Sequence, residues 1–101
     1  MSNRLDLQSK LEELLGTKNV YYDPPESIKM SYPAIRFTKS DIVTTPADDT
    51  QYSRFCRYEL THISKKPDSE VINTLLALPY CSYDRHYVSN NLHHDTLTIY
   101  W

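Results

Sequence analysis

A single glycine, Gly16, stands in a chain of 101 residues. Glycine enters left-handed backbone conformations at little steric cost, so the other reversals of this chain must be made by Pro, Asn, Asp or Ser, each through its own backbone chemistry. The turns are therefore easy to place. Leu7, Leu11, Leu14 and Leu15 recur at helical spacing ahead of Gly16, and Ser2 or Asn3 can cap the start. This predicts an amphipathic helix over residues 4–15, closed by a left-handed C-terminal residue. In "NVYYDPP" a short strand is stopped by Pro24-Pro25, and Pro33 stands at the entrance of "AIRFTKSDIVTT", where Ile35 and Phe37 alternate with Arg36 and Thr38 as a half-buried strand requires. Pro46, Asp48 and Asp49 in "TPADDTQY" predict an exposed loop with little apolar material to bury. From Tyr52 to Ile63 the chain reads as a longer strand, with Cys56, Tyr58 and Leu60 on one face and Arg57, Glu59 and Thr61 on the other. "SKKPDSEV" then leads into a second helix: Asp68 is a good N-cap, Glu70 suits the positive end of the helix dipole, Val71, Ile72, Leu75 and Leu76 form the apolar stripe, and Pro79 ends it.

The order helix, three strands, helix, two strands predicts an α+β fold: a mainly antiparallel sheet of about five strands with two helices packed on one face, all within a single domain over residues 1–101. A chain of this length can bury a core without metal or disulfide help. It is 40% hydrophobic and 24% charged and has no apolar run near the roughly 18 residues a membrane span needs, so a soluble protein with no membrane partner is expected. Charges interrupt "MSNRLDLQSKLEELLG", which does not read as a secretory signal, and a cytoplasmic site of assembly is expected. There Cys56 and Cys81, which lack C-x-x-C spacing, stay reduced. A net charge of −2 gives no general attraction to nucleic acid, and Lys65-Lys66 is too short for an electrostatic footprint.

The last stretch, "YDRHYVSNNLHHDTLTIYW", concentrates histidine, aspartate and aromatic residues in what reads as a hairpin of Ser82–Val88 and His93–Trp101. Leu97, Ile99 and Trp101 belong to the core face of the final strand, and Tyr83 and Tyr87 are their natural partners across the hairpin. That matching demands an odd loop or a bulge. A three-residue loop at Ser89–Asn91 places His86 opposite His94 and Asp84 opposite Thr96 on the other face, with His93 turned away. His86, His94 and Asp84 are then the available metal ligands, short of the four that structural zinc takes, and neither metal nor cofactor is expected. No nucleophile elbow or glycine-rich phosphate loop is present, so no enzymatic activity is expected, a small metal-dependent enzyme being the alternative from a different class. Nine tyrosines exceed what a small core uses. Tyr58, Tyr83 and Tyr87 read as core, while Tyr21, Tyr32, Tyr52 and Tyr100 read equally as interface or as ordinary surface.

Taken in order, "LLG…NVYYDPP", "MSYPAIRF", "ADDTQY", "RYELTHISKKPDSEV" and "LPYCSYDRHYVSNNLHHDTLTIYW" resemble the small tail-completion or tail-terminator proteins of long-tailed bacteriophages. The resemblance covers nearly the whole chain, and its most specific part runs from Tyr83 to the C-terminus. It implies a structural virion protein, without an active site, that forms a ring, commonly of six copies, at the head-proximal end of the tail tube. Such a ring ends tube growth and joins tail to head. The implied partners are further copies of the chain, the tail tube protein and the neck or head-completion protein, with genome DNA passing through the ring and no sequence-specific contact to it. A neck or head-completion ring is the alternative position. Asp41, Asp48, Asp49 and Tyr52 around the acidic segment, with His86, His94 and Tyr100 on the final hairpin, are the candidate interface residues.

Overall fold

The computed structural model describes residues 4–25, 27–46, 52–66 and 70–101, of which 42–46 and 52–55 are described through their backbone. The expected capping residues Ser2, Asn3 and Asp68 and the loop residues Asp48 and Asp49 lie outside this set. The elements run α1 (Arg4–Leu15), β1 (Val20–Tyr22), β2 (Ala34–Pro46), β3 (Tyr52–Ser64), α2 (Glu70–Leu76), β4 (Cys81–Ser89) and β5 (Leu92–Tyr100), the αβββαββ order of an α+β fold. The five strands form one sheet in the order β1-β2-β3-β5-β4. β1 runs parallel to β2, and the remaining neighbours are antiparallel.

α1 buries Leu7, Leu11 and Leu15, one residue per turn. It closes where the Gly16 N–H donates to the Glu12 carbonyl at 2.9 Å, with Gly16 at φ +84°. These leucines meet Val20, Ile35, Phe37, Tyr58, Leu60, Leu75, Leu97 and Ile99 in one core on the helix-covered face of the sheet. The cross-strand register explains the set: Phe37 lies opposite Leu60, Leu60 opposite Leu97, and Tyr58 opposite Ile99. In α2 Leu75 is buried and Leu76 is exposed, so the expected four-residue stripe is shorter. Leu78 packs against the core in its place, because a two-turn helix ends before a fourth apolar residue can come round.

β2 and β3 pair much further than the other strands. Their ladder runs from Ala34↔Ile63 to Pro46↔Tyr52, with Ser40 as an extra residue between Lys39 and Asp41. Arg57 fixes that bulge: its Nε–H donates to Ser40 Oγ at 2.9 Å, and Ser40 Oγ donates to the Arg57 carbonyl at 3.0 Å. β1 reaches only to Tyr22↔Phe37, and β5 leaves β3 at Tyr100↔Arg57, with Trp101 adding backbone bonds to Cys56. Beyond that point β2 and β3 continue as a two-stranded ribbon. The strand expected over residues 34–45 runs on to Pro46 and the strand expected from Tyr52 begins there, so the interface candidates Asp41 and Tyr52, expected around the acidic loop, lie within strands.

Candidate interface: the terminal hairpin and the second sheet face

The β4–β5 hairpin turns through two residues, Asn90 and Asn91, both in the left-handed region at φ 53° and 63°. Asparagine tolerates that region, and two consecutive left-handed residues make the turn whose twist suits a hairpin. The expected three-residue loop is therefore absent. Parity is restored by a bulge, because the register passes from Tyr83↔Leu97 to Arg85↔Thr96 with Asp84 as the extra residue. Tyr83 keeps its expected place across from Leu97, but everything between the bulge and the turn changes sides. His86 lies opposite Asp95 on the helix-side face, and Tyr87 lies opposite His94 on the second face.

Two polar groupings result. On the helix side, Asp95 is 7% exposed and sits in a cross-strand row between His62 of β3 and His86 of β4. Tyr83 donates its hydroxyl hydrogen to Asp95 Oδ1 at 2.7 Å, and this bond pushes the phenol up to about 12. His62 is 1% exposed, and neither ring nitrogen has a hydrogen-bond partner. Burial pulls its pKa below the usual 6.5, with Asp95 acting in the opposite direction. One pair further toward the turn, His86 Nε2 and His93 Nδ1 are 3.2 Å apart. Their ring centroids are 5.3 Å apart and their planes 20° from parallel, so the rings meet through their nitrogen edges.

On the second face, the Tyr87 ring stacks on His94 with centroids 4.7 Å apart, and the Arg85 guanidinium lies 4.9 Å from the Tyr87 ring centre. Thr98 donates to Asp84 Oδ2 at 2.8 Å, Thr96 to the Arg85 carbonyl at 3.2 Å, and Thr38 to Asp23 Oδ1 at 3.2 Å. Two shallow hollows of about 190 and 300 Å³ adjoin along this face and share Glu59 and Thr61; Arg36 lines one, Arg85 and Asp84 the other. At the end nearest the hairpin turn Ala34 and Ile63 are buried outside the main core.

The sequence-derived residues separate accordingly. His86 and His94 point to opposite faces, which dissolves the grouping of His86, His94 and Asp84, and His86 is joined instead by His93. Among the described residues no group of three or more His, Cys, Asp or Glu is placed to hold a metal ion. Asp41 is exposed beside the β2 bulge, Tyr52 pairs through its backbone with Pro46, and Tyr100 lies at the ribbon end, where its N–H donates to the Tyr80 carbonyl at 3.1 Å. The residues missed from sequence are His62, Asp95 and Tyr80. Asp95 alternates in phase with Leu97 and Ile99, and His62 with Tyr58 and Leu60, a signal that does place both on the core face. Tyr80 is 72% exposed yet held at φ +60°, a strained position for an aromatic residue, directly before the edge strand β4. Comparison with protein families, with characterised proteins and with solved structures finds no match to the chain. Among the described residues no helix is long and apolar enough to cross a membrane.

Proposed function

We propose that this chain is a structural virion protein of the tail-terminator kind, forming a ring, of six copies, at the head-proximal end of a phage tail tube, where it ends tube growth and joins tail to head. The reading rests on the motif order of the sequence and on one structural observation, the β2–β3 ribbon that continues from Val43↔Phe55 to Pro46↔Tyr52 with no third strand beside it among the described residues. A two-stranded ribbon in water is marginal by itself and gains stability when a neighbour covers it. The molecule measures 51 Å in its long dimension against 26 and 22 Å in the others, an elongation suited to contacting an adjacent copy or the tube end. A ring closed by head-to-tail contacts has two unlike faces, as a part joining unlike partners requires. The role proposed is assembly and no catalysis, carried out in the host cytoplasm and ending in the virion.

The test is assembly of phage particles without this chain, viewed by electron microscopy. Overlong tails, unjoined to filled heads, are the expected outcome. Normal joined tails overturn the reading, and heads that lack tails beside tails of normal length move the chain to the neck.

A further inference from the structure

The two ends of the β2–β3 ladder differ in charge. Where the chain enters β2 and leaves β3, Tyr32, Pro33, Ser64, Lys65 and Lys66 line a hollow of about 360 Å³. It joins an apolar wall to a basic rim. The wall is tied to the chain around β1: Asn19 Nδ2–H donates to the Pro33 carbonyl at 3.2 Å, and the Ser31 N–H donates to the Tyr21 hydroxyl at 3.3 Å. The rim is held by the Lys66 N–H, which donates to Ser64 Oγ at 3.1 Å and turns the chain as it leaves the strand. Tyr32, Pro33 and both lysines are exposed, and among the described residues neither lysine has a carboxylate within ion-pair distance. A concave surface of this kind fits a small apolar residue followed by carboxylates.

The other end of the ladder closes with Pro46↔Tyr52, and the sequence between them is Ala-Asp-Asp-Thr-Gln, with Asp48 and Asp49 directly after Ala47. That chemistry matches the hollow, but not the hollow of its own copy. The 13 residues of β3 that separate the two ends span about 40 Å at the rise of an extended strand. A five-residue connection tied at both ends to the last ladder pair reaches at most about 11 Å beyond it. We propose that the β2–β3 ribbon of one copy docks end-on in the hollow of a second copy, with Ala47 against Tyr32 and Pro33 and the Asp48 and Asp49 carboxylates paired with Lys65 and Lys66. The two surfaces lie at opposite ends of one ladder, so the contact is head-to-tail and every copy offers one of each. The inference rests on the proposed ring for its closed form, and it names the surface that receives each ribbon there. Solvated ion pairs are individually weak, so the apolar wall and the repetition of the contact around a closed ring carry much of its strength.

Sedimentation velocity of the purified whole chain at low ionic strength tests the contact, with two neutralised variants: Asp48→Asn with Asp49→Asn, and Lys65→Gln with Lys66→Gln. The native chain should form assemblies that shrink as salt rises from about 0.01 to about 0.15 M, which cuts the screening length from about 30 to about 8 Å. Each variant alone should lose these assemblies while keeping the native urea midpoint. An equal mixture of the two should give pairs and nothing larger, since one variant brings the only intact ribbon end and the other the only intact hollow. Zero-length carbodiimide coupling of isotopically distinct native copies should join Asp48 or Asp49 to Lys65 or Lys66 between copies. A native chain that stays monomeric at low salt, variants that assemble as the native chain does, or links confined to single copies each overturn the proposal; a hollow that serves a different partner gives the first of these results. Failure here leaves the tail-joining role standing, and a head–tail junction without this chain leaves the contact standing.

Discussion

Tyr83 is an aromatic residue on an edge strand, 42% exposed, whose hydroxyl is committed to a buried carboxylate. Its proton is held more tightly in the folded chain, up to about 12 against an ordinary 10, so the bond stabilises the fold fully below pH 10 and is lost as pH rises toward 12. Unfolding followed by urea across pH 9–12 should therefore show a midpoint that falls in that window, and Tyr83→Phe should remove that part of the fall. His62 titrates in the opposite sense. Its folded pKa lies below 6.5, so the unfolded chain binds the proton first: the fold keeps its full stability above about pH 6.5 and loses it as pH drops below. The urea midpoint of His62→Met should be flatter between pH 7 and 5 than that of the native chain, and an equally steep acid limb would contradict the assignment. Ile99, fully buried opposite Tyr58, is a plain core residue. Ile99→Ala should cost about 2–5 kcal/mol in equilibrium denaturation, through lost burial and the cavity left behind.

Elements differ in how plainly the chain declares them. α1 was legible to the residue, because leucines at helical spacing end in the one glycine, and Gly16 takes the left-handed φ of +84° that the reading required. An added Cβ at Gly16 meets nothing within 4 Å, so Gly16→Ala isolates the backbone term and should cost about 1–2 kcal/mol by thermal or chemical unfolding. The alternation of Tyr58 and Leu60 against Glu59, and of Leu97 and Ile99 against Thr98, likewise fixed which faces of β3 and β5 are buried. The hairpin parity was not legible from alternation, since an odd loop and a bulge both bring Tyr83 across from Leu97. The deciding signal was turn chemistry: Asn90-Asn91 is a pair that enters left-handed conformations readily, and it supports a two-residue turn. With an even turn the bulge at Asp84 becomes obligatory, and it is what sends Tyr87 to the second face and brings His86 beside Asp95. Deleting Asp84 should force Cys81 and Tyr83 off the core face and lower the urea midpoint by more than Tyr83→Phe does. An unchanged midpoint would mean that the bulge does not set the register. The same bulge, with Arg85 and His86 next to it, marks β4 as an edge guarded against indiscriminate strand pairing.

Across the whole molecule the two faces of the sheet are unlike. Helices and a leucine-rich core close one, while threonines and alternating charge line much of the other, with the Tyr87–His94 stack at one end and the β2–β3 ribbon leaving from the opposite end. The ribbon's two strands were legible in the sequence on either side of the acidic stretch, as far as Thr45 and again from Tyr52, but their pairing beyond the reach of β1 and β5 was not. If the chain closes into a ring through this arm, shortening the ribbon should leave the body folded and abolish assembly. Removing Val43–Phe55 and joining Ile42 to Cys56 through a two-residue Asn-Gly turn should keep the cooperative thermal unfolding of the body while the variant fails to rescue particles grown without the native chain; full rescue would deny the arm a role. The proposed place of this chain is between tail tube and neck, and cryo-electron microscopy of the head–tail junction shows whether it sits there. The expected map contains a ring of six copies of this αβββαββ fold seated between the last tube ring and the neck, each ribbon lying against an adjacent copy or the tube. A junction resolved well enough to trace side chains, with its rings fully accounted for by other chains, would contradict it.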